Sequence, residues 1–309
     1  MRKGIPSMHR WAFAGEFGFL KLPDVNQGAT HAAVLRHHHH SDRTLTGTCM
    51  TLKTTSALAF SALCLTLTPA EAQQGPRNLL ALGAISVPDF EGSADKVAAP
   101  LLLGRLDLGN YGSLRLAGAG LQYNVLDPKS EWAFGPVLSF RQARDADVDD
   151  AVVQRLREVD AATEFGFFVE YGLPDTFSKG DRLTFGLEGK GGKGSQFSLG
   201  LSYQAAKLGG LQLGFDARTV FANDRYMDTY FSVDSDNSTR SGLPGYTASS
   251  GLKSVSLGFN ASYDLSSKWV LIGRVGVSRL MGDARDSPIV QLRGDATAVS
   301  AGLAVGYRF

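Results

Sequence analysis

At 309 residues the chain can hold one large domain or two ordinary ones, and a formal net charge of +1 excludes the basic face of a nucleic-acid-binding protein. Beyond residue 72 no run of about 18 consecutive apolar residues occurs, which excludes helical membrane spans there. The 36 glycines fall mostly within stretches of alternating apolar residues, not in linkers.

In chain order, residues 1–49 hold Arg, Lys, Pro and the run His37–His40 without sustained periodicity. They read as an upstream extension that is untranslated or unstructured, with translation starting at Met50; a metal-binding His tract is the weaker alternative. Residues 50–72 have the build of an export signal. One cation, Lys53, precedes an apolar run from Ala57 to Leu67, followed by Pro69 and by Ala70-Glu71-Ala72. The small residues Ala70 and Ala72 suit signal peptidase, which places cleavage after Ala72. Cys64 follows Leu63, not the small residue a lipidation site requires, so no lipid anchor is expected.

Removing residues 1–72 takes away all six His and both Cys, and leaves 24 cations against 26 anions, a net charge of −2. The exported part, 73–309, therefore has no imidazole and no thiol. It cannot run a Ser-His-Asp triad, a Cys-His nucleophile or a His/Cys zinc site. No enzyme activity, cofactor or metal is expected.

From Asn78 onward the dominant pattern is period-two alternation. In the last segment Thr297, Val299, Ala301, Leu303, Val305, Tyr307 and Phe309 oppose Ala298, Ser300, Gly302, Ala304, Gly306 and Arg308. The same pattern predicts twelve strands, at 79–87, 98–107, 112–124, 131–142, 162–172, 181–190, 195–205, 210–221, 226–233, 252–264, 268–280 and 297–309. Their length suits a tilted bilayer crossing. Their second face is rich in Gly, Ser and charge, and Trp132, Tyr171, Tyr203, Tyr263, Trp269 and Tyr307 sit at strand ends, where interfacial girdles belong. The expected fold is all-β: a transmembrane antiparallel up-and-down β-barrel in a Gram-negative outer membrane, surrounded by its lipid, with both termini periplasmic.

On this strand count the turns at Gly109–Tyr111, Gly191–Gly194, Asn223–Arg225 and Leu265–Ser267 fall on the periplasmic side, and the long connections 234–251 and 281–296 fall outside. Segment 143–160 is the exception, a long connection on the periplasmic side. Its second half can form a short helix with Val152, Val153 and Leu156 on one face. The favoured reading is a solvated charge cluster; a partner-binding surface or a segment folded into the lumen is the sharper one. The lumen itself is expected to carry Arg115, Arg141, Glu164, Glu170, Glu188, Lys190, Asp216, Arg218 and Arg274, whose opposite charges would fill a narrow barrel with ion pairs.

Other clusters read as loops. Asp234, Asp236, Asn237 and Ser238 offer oxygens for Ca²⁺ but lack the Gly and distal Glu of an EF-hand, so a plain acidic loop is favoured. Asp283, Asp286 and Ser287 are ordinary turn residues, and Gly189–Gly194 is a hairpin turn without the Lys-Ser/Thr of a phosphate loop.

Four stretches carry a family resemblance. Val87-Pro-Asp-Phe-Glu-Gly-Ser93 opens the exported part; Met227-Asp-Thr-Tyr-Phe-Ser-Val233 is followed by Leu243-Pro-Gly-Tyr-Thr-Ala-Ser-Ser-Gly251; and Leu280-Met-Gly-Asp-Ala-Arg-Asp-Ser-Pro-Ile-Val290 precedes the terminal strand. Across residues 73–309 the chain resembles the MipA/OmpV family of outer-membrane proteins, with Pro88, Gly92, Ser93, Asp283, Ser287 and Pro288 as the matching motif positions. Phe90 and Ala94 depart from it, since the family more often shows Tyr and an acidic residue there. The resemblance implies a scaffold for a murein lytic transglycosylase and the murein synthase; adhesin or surface antigen is a second role in the family, and a small-solute pore is the alternative left by the barrel itself. Tyr307 and Phe309 also match the C-terminal signal read by the barrel-assembly machinery, whose strand addition an amphipathic final strand would suit.

Overall fold

The computed structural model describes residues 78–309; the expected upstream extension and export signal, with Ala70 and Ala72, lie outside the described residues. Twelve antiparallel strands close into an up-and-down barrel, each paired with its neighbours in sequence and the last with the first. They are β1 (Leu79–Pro88), β2 (Lys96–Asp107), β3 (Ser113–Ala117), β4 (Gly120–Asn124), β5 (Trp132–Arg141), β6 (Ala162–Pro174), β7 (Arg182–Gly191), β8 (Ser195–Gln204), β9 (Leu211–Ala222), β10 (Gly251–Asp264), β11 (Trp269–Leu280) and β12 (Thr297–Arg308).

Alternation becomes inside and outside. In β12 Val299, Leu303 and Val305 are exposed outward while Ala304 between them is buried. Inside, Ala81, Leu101 and Ala304 pack with Ile85, Leu103 and Ile272 into an apolar filling beneath β1, β2, β11 and β12. All six girdle aromatics sit at the end of the barrel that carries the chain termini. Neighbours there pack in pairs, Trp132 tilted against Tyr171 at 4.6 Å and Trp269 edge-on to Tyr307 at 5.1 Å. At the opposite end the exposed aromatics are Phe140, Phe165, Phe197 and Phe221. Trp132 and Phe140 bracket about 26 Å of strand at ~3.3 Å per residue, close to ~20 Å of membrane depth at a tilt of ~40°.

Two expected strands are wrong in compensating ways. Residues 112–124 are not one strand but two, β3 and β4, because Gly118 takes a left-handed φ of 57° and folds the chain back. The run Ala117-Gly-Ala-Gly120 alternates without a polar turn residue, so periodicity alone carries straight through it. Residues 226–233 are not a strand; helix α1 (Asp224–Phe231) occupies them, opened by Asn223, whose side chain accepts from the Tyr226 amide. Its buried residues Tyr226, Met227, Tyr230 and Phe231 share one helical face. The total of twelve survives, but every connection between the two errors changes ends. Turn 192–194 and segment 142–161 therefore lie opposite the termini, with 89–95, 223–250 and 281–296, while 125–131, 175–181 and 205–210 lie at the terminal end. The long-connection exception disappears.

The long connections build a cap over the end opposite the termini. Besides α1 it contains α2 (Ser235–Ser241), α3 (Gly282–Asp286), α4 (Pro288–Arg293) and a 3-10 turn at Val153–Arg155. One apolar cluster joins Tyr226, Met227, Phe231, Ala284 and Val290; another joins Phe90, Val148, Val153, Leu156, Val233, Leu243 and Ile289. Full burial of each large side chain contributes about 1.5–3 kcal/mol, enough to hold four connections as one body. Segment 142–161 is thus not a solvated cluster. Its apolar residues are core, and Asp150 accepts from the Val152 and Val153 amides and pairs with Arg293 at 2.7 Å.

Candidate functional site

The lumen and the underside of the cap hold the dense charge of the molecule. All nine residues expected in the lumen enter ion pairs across it. Arg115 grips Glu170 with two bonds of 2.9 Å; Arg141 and Lys190 each meet Glu164 at 2.9 Å; Arg218 lies 3.6 Å from Glu188 and Arg274 3.0 Å from Asp216. Luminal glycines make this crowding possible. A Cβ on Gly258 would stand 2.5 Å from the Asp216 carboxylate, so that position holds space for the pair with Arg274.

A second, deeper network ties the cap to the wall. Glu164 also accepts from Ser139 (3.0 Å) and Gln196 (3.2 Å), so a carboxylate only 3 % exposed has four donors. Above it, Glu91 from connection 89–95 pairs with Lys253 of β10, accepts from the Tyr226 hydroxyl at 2.6 Å, and lies 3.4 Å from Arg141. The Arg141 guanidinium sits 5.0 Å from the Tyr226 ring and 5.3 Å from the Tyr230 ring, within cation–π range. Burial pushes the Glu91 carboxyl up, but the charges of Lys253 and Arg141 outweigh it and hold the group down at about 2. Burial raises the Tyr226 phenol well above its ordinary value, which keeps it a donor to Glu91.

Lys253 reaches this position through a bulge. The β9–β10 register shifts between Leu252 and Ser254, so Lys253 and Ser254 are both buried although consecutive strand residues normally alternate. Sequence reading missed Glu91, Lys253 and Tyr226. A signal existed for Lys253: strict alternation would put its charge on the lipid face with Val255 and Leu257, which is costly.

The motif positions also meet in the cap. Pro88 ends β1; Gly92 adopts a φ of 97°, and its carbonyl accepts from the Asp295 amide at 3.0 Å; Ser93 bridges to Gly294. Ser287, fully buried, donates to the Phe231 carbonyl at 2.6 Å and caps α4 through the Ile289 amide, with Pro288 as its first residue. Asp283 accepts from the Ser249 amide at 2.8 Å. Tyr307 and Phe309 stay apart from these, stacked 6.5 Å from each other on the outer face at the terminal end. The oxygens weighed for Ca²⁺ have other work: Asp234 caps α2, and the buried Asn237 accepts from Arg157 N and Arg240 Nη2.

No curated protein matches the sequence. Among solved structures, a KdgM porin aligns with a TM-score of 0.40 and 9% identity over 75% of this chain and 99% of its own. An outer membrane channel from Pseudomonas putida F1 gives 0.39 and 9% over 79% and 100%, and OprD from Pseudomonas aeruginosa 0.34 and 13% over 76% and 65%. The family profile described as "MltA-interacting protein MipA" matches residues 80–309, the whole barrel with its cap. With a closed twelve-stranded barrel and the motif residues gathered in one cap, the chain belongs to the MipA family of outer-membrane barrel proteins.

Proposed function

We propose that the protein is a non-enzymatic outer-membrane scaffold that holds a murein-remodelling enzyme against its periplasmic rim, with both chain termini on that side. The observation that carries this reading is that the barrel's own connections pack over one mouth, with Tyr226, Phe231, Ile289 and Lys253 buried beneath or within them. A stoppered barrel works through its surfaces, not as a through-channel. The rim at the terminal end suits docking, since its short turns present apolar tips to solvent: Tyr111 is 78 % exposed, Phe177 75 % and Leu208 82 %. The family's description, an MltA-interacting protein, supports a murein-related partner. Recognition by the barrel-assembly machinery would use Tyr307 of the last strand and the exposed Phe309 that follows it.

Photo-crosslinkers placed singly at Phe177, Leu208 and, in the cap, Leu292 test the reading in whole cells. Capture of murein-cleaving or murein-synthesising enzymes from Phe177 and Leu208, and not from Leu292, is expected. Capture from Leu292 alone, or no such enzyme from any position, overturns it.

A further inference from the structure

We infer that the lumen beneath the cap is a binding well for a small anionic solute carrying two or more carboxylate or phosphate groups, entered from the end where the termini lie. In the ion pairs of Glu164, Glu170, Glu188 and Asp216 the cation is the more exposed partner. The Arg115 side chain is 47% exposed against 19% for Glu170, Arg218 49% against 12% for Glu188, and Arg274 39% against 28% for Asp216. The carboxylates are drawn back against the wall and the guanidiniums reach into the solvated space. What a solute meets there is a positive lining, although the pairs are formally neutral.

Two further arginines have no salt bridge among the described residues. Arg105 stands in direct cross-strand register with Arg115, whose guanidinium is held by Glu170. Asp107, two residues nearer the rim, is the nearest acid along the strand, and one of its oxygens accepts from the Gly109 amide. Arg182 begins β7, and its guanidinium lies over Gly172, where any Cβ would stand 2.3 Å from it. Position 172 thus leaves the room this guanidinium occupies.

The five arginines also occupy successive depths. Arg182 and Arg105 lie within two residues of the terminal end of their strands, Arg115 beside them, Arg274 five residues into β11 and Arg218 seven residues into β9. A solute with several anionic groups can therefore contact guanidiniums at more than one level, each a charge-assisted and directional bond. Because the cap closes the far end, the arrangement retains such a solute and does not pass it on.

The test is calorimetric titration of the folded protein, purified from outer membranes in detergent, with citrate, inorganic tripolyphosphate and neutral maltotriose. Saturable binding of at least one of the two anions, and none of maltotriose, is expected. The double variant R105Q/R182Q breaks no salt bridge among the described residues and is expected to weaken that binding about tenfold or more. R279Q removes one positive charge from the outer face of β11 and is expected to leave it within about twofold. Heat-modifiable migration on gels establishes that each variant is folded. The inference is overturned if neither anion saturates, if R105Q/R182Q binds as the parent does, or if R279Q weakens binding equally. None of these results bears on capture of a murein enzyme at the rim.

Discussion

Glu91 decides how firmly the cap is held. Its carboxyl titrates at about 2 in the folded protein against an ordinary 4.5, because Lys253 and Arg141 overcome its burial. A depressed carboxylate contributes its stabilisation fully above its unfolded value and loses it as pH falls through the folded one. Hydrogen exchange in α1, corrected for intrinsic rates, is therefore expected to stay slow down to about pH 4.5 and to accelerate between there and about pH 2. Glu91→Gln leaves the Lys253 ammonium buried without a counter-charge, at a cost of roughly 3 kcal/mol. The variant should exchange quickly in α1 even at pH 6; protection equal to the parent's would remove Glu91 from this role. Position 92 acts beside it through backbone shape. With φ at 97° and the Val290 side chain 2.7 Å from any added Cβ, Gly92→Ala should destabilise the cap by about 1–3 kcal/mol, read as faster exchange in 281–296.

At the scale of elements, strands and helix obey different solvents. Leu257, 62 % exposed near the middle of β10, faces the membrane, so Leu257→Arg is expected to cost about 2–4 kcal/mol in urea unfolding from lipid vesicles. Unchanged unfolding would mean that this face is not buried in lipid. Helix α1 depends instead on a cap residue: the Asn223 side chain accepts from the amides of Tyr226 (3.0 Å) and Ser195 (2.9 Å), joining the helix to β8. Asn223→Ala should cost about 1 kcal/mol, localised to α1 and to turn 192–194. Period two and period 3.6 coincide over Met227, Thr229 and Phe231, which is why this helix reads as a strand in isolation. The neighbouring Tyr226 and Tyr230, buried with them, break the alternation and belong to the helical face.

For the whole molecule, a capped barrel should be silent in planar bilayers. Replacing 225–249 by a short Gly-Ser turn is expected to produce stepwise conductance, and steps from the intact protein would contradict closure by the cap. The barrel, ten of its twelve strands, its aromatic girdle and its nine luminal charges were legible in the sequence because they follow from alternation, a local rule that the two solvents of a membrane barrel impose on each strand separately. The motif positions were legible as a set, though not as neighbours. Ser93 meets Gly294, and Ser287 meets Phe231, only because long connections return to the same mouth. Which end each connection occupies turned on one left-handed glycine, Gly118, and on one helix, both read wrongly from periodicity. Likewise the bulge that turns Lys253 inward becomes visible only against its partner strand. The sequence by itself determined what faces lipid and what faces the lumen, since each strand carries that choice in its own alternation. The tertiary structure decided that the lumen is closed at one end and how its charges pair, because those depend on contacts between segments as far apart as Ser93 and Gly294 or Glu91 and Lys253.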